Sequence, residues 1–194
     1  MGKWAPTATH GLPGADEVGD VQSPVPWVPQ QPAATRPEID ARLTAELASV
    51  VATARRRALR DGDRQIDTAH LLHSLIESDP EVRAALGAGP QIARVLGYLV
   101  QRSIGYGLRW QGSVEDSGTV PVVRATDAEA SGWSPSAAAA MEGALARAQL
   151  RGAARAGGID LLARLAADPE CRAVQVLRRA GVDAELLGGR IAAE

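Results

Sequence analysis

His70 and His73 stand three residues apart, with Asp67 three residues before the first and Glu77 four residues after the second. On a helix, imidazoles and carboxylates at that spacing share one face, where they can hold a metal or pass a proton. The set falls short of a closed zinc site, which needs four ligands, and no HExxH pair is present. The third histidine, His10, is remote in the chain. Ser74 lies four residues beyond His70, but no Gly-x-Ser-x-Gly elbow occurs. Cys171 is the only cysteine; it sits in an apolar pattern beside Arg172 and reads as an inert buried thiol. It excludes an intramolecular disulfide and a Cys-rich zinc site. The only lysine is Lys3, so there is no Gly-rich loop ending in Lys-Ser/Thr to cradle phosphates. These residues are expected to be structural, with no catalytic residue, metal or cofactor.

The element that must position the two histidines is the stretch from Gln65 to Ile76. Thr68 is placed to cap a helix, and Leu71, Leu72, Leu75 and Ile76 form one apolar face. The block recurs: Leu71-Leu72-His73-Ser74-Leu75 aligns with Leu161-Leu162-Ala163-Arg164-Leu165, an offset of 161 − 71 = 90 positions. At the same offset Leu43-Thr44-Ala45 meets Trp133-Ser134-Pro135, and Ala54 and Ala58 meet Ala144 and Ala148. After a one-residue slip, Asp79-Pro80-Glu81 matches Asp168-Pro169-Glu170. Such a long-range match predicts a duplicated architecture.

Ile66-x-Thr68-x-His70-Leu71-Leu72, preceded by a long helix opening at Leu43-Thr44, resembles the Clp N-terminal repeat domain found at the front of AAA+ unfoldases such as ClpC and ClpA. Trp133-Ser134-Pro135-x-Ala137 is similar to the opening of that family's second repeat. The resemblance covers residues 38–192 and implies an all-α fold of two pseudo-symmetric four-helix repeats. It also implies a non-enzymatic protein that binds substrates, adaptors or peptide-like ligands and modulates Clp-dependent proteolysis. Without a phosphate-cradling loop, the chain looks like a free-standing version of that domain. Some family members recognise phosphorylated arginine through a carboxylate in Thr-Glu-His. The matching positions here are Ala69 and Ile159, so that role does not carry over. The aromatic residues opening the family's repeats correspond to Leu43 and Trp133, the partner-binding candidates. Trp133 offers a large contact area, yet it could equally plug the core at a helix start.

Four segments follow in chain order. Residues 1–36, rich in Pro and Gly and carrying Trp4 and Trp27, read as a disordered or loosely docked tail. Residues 37–104 form repeat one: helices over 38–60, 68–77, 80 to about Gly87, and 91–104. Residues 105–132 form an inter-repeat insertion, with extended runs on either side of a turn at Glu115-Asp116-Ser117-Gly118 that suggest a small β-hairpin. Pro121 demotes the second run towards an edge strand or loop. The insertion could cover or gate an apolar groove near Trp133 and Leu43. Residues 133–194 form repeat two, with Ser134 and Asp160 as caps and Pro169 starting a third helix.

Composition fits this reading. Apolar residues make up 45% of the chain but aromatic residues only 3%, with no Phe, so the core must be built from Ala, Leu, Val and Ile. A net charge of −2 gives no global pull towards nucleic acid or membrane. No apolar run approaches the ~20 residues of a membrane span, and the N-terminus lacks a secretory pattern, so a cytoplasmic location is expected. The alternative function is a small helical nucleic-acid-binding regulator using Arg55, Arg56, Arg57 and Arg60.

Overall fold

The computed structural model describes residues 40–103, 113–116 and 132–193. The tail and most of the insertion lie outside the described residues, as does the expected hairpin except for 113–116, which have no regular structure. The described residues form eight helices and no strand. The first repeat holds α1 (Ala45–Asp61), α2 (Thr68–Ser78), α3 (Pro80–Leu86) and α4 (Gly89–Ser103). The second holds α5 (Pro135–Leu150), α6 (Gly158–Ala166), α7 (Arg172–Arg179) and α8 (Ala184–Ala193). None of these helices is long and apolar enough to cross a membrane.

Helices α2 and α6 are the centre. Each packs against the long helix of its own repeat, α1 and α5, and each touches the other repeat. Leu71, Leu72 and Leu75 on α2, with Leu161, Leu162 and Leu165 on α6, are fully buried. Each such side chain contributes about 1.5–3 kcal/mol of burial energy. The matched alanines Ala54, Ala58, Ala144 and Ala148 are also buried, and their small side chains suit the close packing of each long helix on the central helix of its own repeat.

The 90-residue offset is repeated in the backbone hydrogen bonds. Thr44 N donates to Ala156 O at 3.0 Å and Ala156 N to Arg42 O at 2.9 Å. At 44 + 90, 156 − 90 and 42 + 90 the same pattern returns: Ser134 N donates to Ile66 O at 2.8 Å and Ile66 N to Gly132 O at 2.9 Å. Two isolated parallel bridges result, Leu43 with Ala156 and Ile66 with Trp133. Each ties the opening of one repeat to the lead-in of the other.

Several helix starts differ from the sequence reading; α4, for one, begins at Gly89 and not at 91. The long helix does not run from 38 through 43–44: α1 begins at Ala45, with Thr44 Oγ1 accepting from Leu47 N at 3.2 Å. The apolar spacing continues through Leu43, but the Arg42–Thr44 backbone is committed to Ala156 and cannot also be helical. The cap of α2 is Asp67, whose Oδ1 accepts from His70 N at 2.9 Å; Thr68 is the first helical residue. In repeat two, α7 starts at Arg172 instead of Pro169, after a turn in which Asp168 Oδ1 accepts from Glu170 N at 3.1 Å. Asp160, expected to cap α6, is instead its third residue: Gly157 holds the cap position, and Asp160 Oδ2 reaches back to accept from Gly157 N at 3.0 Å. Asp79 and Pro80 do open α3, and Ser134 and Pro135 open α5.

Candidate functional site

The first turn of α2 is the most polar buried place among the described residues. Asp67, Thr68 and His70 are all at most 2% exposed. A buried N-terminus needs acceptors for its free N–H groups. Asp67 supplies one, and His70 Nδ1 lies 3.1 Å from Asp67 N, closing a reciprocal capping box.

The remaining acceptors come from Glu115 in the inter-repeat insertion. Its Oε2 accepts from Thr68 N at 2.8 Å and from Ser134 Oγ at 2.9 Å. Its Oε1 accepts from Arg172 N, the first residue of α7, at 2.6 Å, and from the Thr68 hydroxyl. Thr68 Oγ1 in turn accepts from Ala173 N at 3.0 Å. One carboxylate therefore terminates a helix from each repeat, where helix dipoles favour negative charge. Burial and the Asp67 charge push the Glu115 carboxyl up, against the lowering effect of its bonds from Thr68 and Arg172.

Asp67 anchors a second, charged layer. Arg172 Nη1 donates to Asp67 Oδ2 at 2.7 Å, and Arg102 donates both to Asp67 and to Asp63 Oδ2, the latter at 3.0 Å. Arg172 Nη2 also donates to Ser113 O at 2.8 Å and to Ser113 Oγ at 2.7 Å. Burial raises the Asp67 pKa, but the His70 hydrogen bond and the charges of His70, Arg102 and Arg172 outweigh it and hold the carboxyl far below its ordinary range. Burial lowers the His70 pKa, yet Asp63 and Asp67 overcome it and raise the value above 6.5. His70 Nδ1 lies 2.8 Å from Asp67 Oδ1 and Nε2 lies 3.3 Å from Asp63 Oδ2, so the ring sits between two carboxylates. Asp63, Asp67 and His70 have potential ligand atoms within 4.8 Å of one another. Their charge is already balanced by Arg102 and Arg172, and a metal ion would compete with both guanidinium groups. The set suits an ion-pair network better than a metal centre.

A cavity of about 230 Å³ adjoins this network, lined by Asp63, Asp67, Ser113, Glu115, Ser134 and Arg172 among others. A wider concavity of about 660 Å³ lies between the end of α6, α7 and α8, with Ala166, Pro169, Val174, Arg178 and Val182 in its walls.

The other candidates separate. His73 does not share a site with His70: its Nε2 lies 3.2 Å from Glu77 Oε1 and its Nδ1 3.3 Å from Arg57 Nη1. Burial and the Arg57 charge lower its pKa to about 4, against the raising effect of Glu77 and Asp61. Burial pushes the Cys171 thiol up to about 12, so it is not a thiolate nucleophile at neutral pH. Ser74 Oγ is fully buried, with no hydrogen-bond partner among the described residues. The arginine run does not form one basic stripe. Arg57 pairs with Glu77, Arg60 lies 3.4 Å from Asp61, and only Arg56 and Arg60 are exposed.

Leu43 and Trp133 are 3% and 7% exposed and occupy the two cross-repeat bridges. The structure places them as core plugs at the repeat openings, not as a shared exposed face. Ala69 is fully buried, and Ile159 is partly buried against the core. The sequence reading missed Glu115, Arg102 and Arg172. Arg172 stands out in the sequence only beside Cys171 and in the repeat match, and Glu115 only in a turn; no local spacing links any of the three to Asp67.

With this geometry in view, the solved N-terminal domain of the caseinolytic-protease-associated chaperone ClpD from Arabidopsis thaliana superposes with a TM-score of 0.56. The match covers 78% of this chain and 93% of that domain, at 22% sequence identity. The fold is that of a Clp N-terminal domain. No family model matches the sequence, and no curated protein does.

Proposed function

We propose that this chain is a non-enzymatic binding protein of the Clp proteolysis system, engaging substrates, adaptors or peptide-like ligands of a Clp unfoldase. The observation that carries this reading is the two-repeat fold shared with the ClpD N-terminal domain over nearly all of that domain's length. The chemistry of the buried polar centre supports it. The candidate nucleophiles are a protonated thiol and a buried hydroxyl, and the buried carboxylates are held by guanidinium and backbone donors. The ligand surface in this reading lies over the repeat openings at Leu43 and Trp133. Both residues lie in backbone bridges and their side chains are buried, so they shape that surface from beneath and add little exposed area to it.

The test adds the purified chain to the Clp unfoldase and protease of its own source. Degradation of a model substrate is followed, and a sedimentation or pull-down assay scores direct binding of Clp subunits or their substrates. The expected result is binding together with a changed degradation rate. No binding to any Clp component and an unchanged rate would overturn the reading. Salt-sensitive binding to nucleic acid, lost on replacing Arg56 and Arg60, would instead support the arginine-helix alternative.

A further inference from the structure

We propose that Glu115 acts as an internal ligand: its carboxylate fills a carboxylate-binding pocket between the two repeats and keeps that pocket closed to carboxylates from other molecules. The pocket is built from both halves of the chain. Thr68 N and Oγ1 belong to the first repeat; Ser134 Oγ and Arg172 N belong to the second. Four donors converge on two oxygens, two on each, which matches the flat, two-oxygen shape of a carboxylate. Two of them are backbone N–H groups at the starts of α2 and α7, where the helix dipoles add positive potential.

The occupant differs in kind from the donors. Thr68, Ser134 and Arg172 belong to the repeats, whereas Glu115 belongs to the inter-repeat insertion. It is 6% exposed, while its neighbours Ser113, Val114 and Asp116 are exposed, so Glu115 turns its carboxylate inward from a surface segment. The adjoining cavity of about 230 Å³ touches Glu115, Ser134 and Arg172, which leaves room beside the bound carboxylate for the body of a ligand. The other close carboxylate, Asp67, faces the guanidinium groups of Arg102 and Arg172 and the His70 ring. It balances their charge without reaching the four donors. Removing the Glu115 carboxylate leaves those donors buried and without their acceptor, the condition under which a small exogenous carboxylate gains most.

The test is rescue by acetate. Thermal unfolding of Glu115→Ala is followed by circular dichroism in rising sodium acetate and, separately, in sodium chloride at matched ionic strength. The expected result is a saturable rise in the variant's Tm with acetate beyond that with chloride, as for any ligand that binds only the folded state. The wild type, its pocket already filled, shows the same Tm in both salts. Should the alanine variant not fold in chloride, recovery of its helical signal in acetate is the equivalent positive result. The titration is repeated on Glu115→Ser, whose hydroxyl keeps one acceptor and leaves space for a carboxylate. Equal behaviour of both variants in acetate and chloride would overturn the proposal. So would an acetate-specific rise of equal size in the wild type.

Discussion

At two of the places where the repeats meet, the start of a helix from one half faces the start of a helix from the other. Where α3 meets α6, the cap is local: Asp79 Oδ1 accepts from Glu81 N at 2.9 Å and Val82 N at 3.2 Å. Its carboxylate also lies so close to Gly158 that a methyl group there would overlap it. Where α2 meets α7, the local cap is missing. Asp168 is used in a turn before the helix, and Cys171 at the cap position makes no side-chain capping bond. Glu115 reaches in from the insertion and supplies the acceptor. Facing helix starts thus need a carboxylate between them, and the chain provides it from within the repeat at one junction and from outside at the other.

The lead-ins differ in the same way. At the offset of 90, Asp67 and His70 correspond to Gly157 and Asp160. In repeat one the cap residue carries the carboxylate. In repeat two the carboxylate has moved to the third helical position, where Asp160 Oδ2 accepts from Gly157 N at 3.0 Å and is held by Arg151 at 2.8 Å. The repeat-one carboxylate is tied across the molecule to Arg172, whereas the repeat-two carboxylate is neutralised by arginines of its own repeat, Arg147 and Arg151.

The largest expected break of this contrast is Asp67→Asn, which leaves Arg102 and Arg172 buried without their shared charge partner. A loss of about 3–5 kcal/mol in urea unfolding is expected. Asp160→Asn should cost less, because Arg151 is partly exposed and can turn to water. Lowering the pH acts on the same group. The Asp67 pKa is depressed in the folded state, so its contribution is complete above the unfolded value near 3.8 and is lost as the pH falls towards the folded value.

Next in size is Glu115→Ala, expected to cost about 2–4 kcal/mol because several buried donors lose their acceptor. Asp79→Ala removes only a local cap and should cost about 1 kcal/mol. Equal losses in the two variants would show that Glu115 is no more than a substitute cap.

The titration of His73 sharpens the contrast by separating it from His70. The folded His73 pKa, about 4, lies below the unfolded 6.5, so the unfolded state binds the extra proton between those values and stability falls as the pH drops through that window. The total is on the order of 3 kcal/mol, and His73→Gln should flatten it in pH-dependent unfolding curves. His70 behaves oppositely: its folded pKa is raised, so its contribution is present below 6.5 and is lost as the pH rises through the folded value.

The smallest effect expected is for Gly158→Ala, about 1–2 kcal/mol from crowding against Asp79. Most of that cost should disappear in an Asp79→Ala background, and a double-mutant cycle on thermal unfolding reads the coupling.

Much of the fold was legible because it is encoded locally and twice. The Leu71-Leu72-Leu75 block and its copy at Leu161 set the offset, and that same offset relates the two bridges. Periodicity failed at helix starts, where tertiary bonds decide: apolar spacing runs through Leu43, but the bridge to Ala156 stops the helix. Pro169 suits a first helical turn, yet α7 begins three residues later. The polar centre was only half legible. Asp67 and His70 stand out by their spacing and read as structural, but their ion-pair partners are not visible there. Arg102, Glu115 and Arg172 reach Asp67 and Thr68 across 35, 47 and 105 positions, and no short-range pattern carries such pairings. Glu115 in particular stood in a run that reads as a hairpin turn.

The central claim is that one carboxylate joins the two repeats. Hydrogen exchange at the individual amides of Thr68, Arg172, Glu81 and Val82, in wild type and Glu115→Ala, tests it most directly. The account expects the Thr68 and Arg172 amides, one in each repeat, to lose protection together in the variant, while Glu81 and Val82 at the Asp79 junction keep theirs. Unchanged protection at Thr68 and Arg172, or equal loss at all four amides, would contradict it.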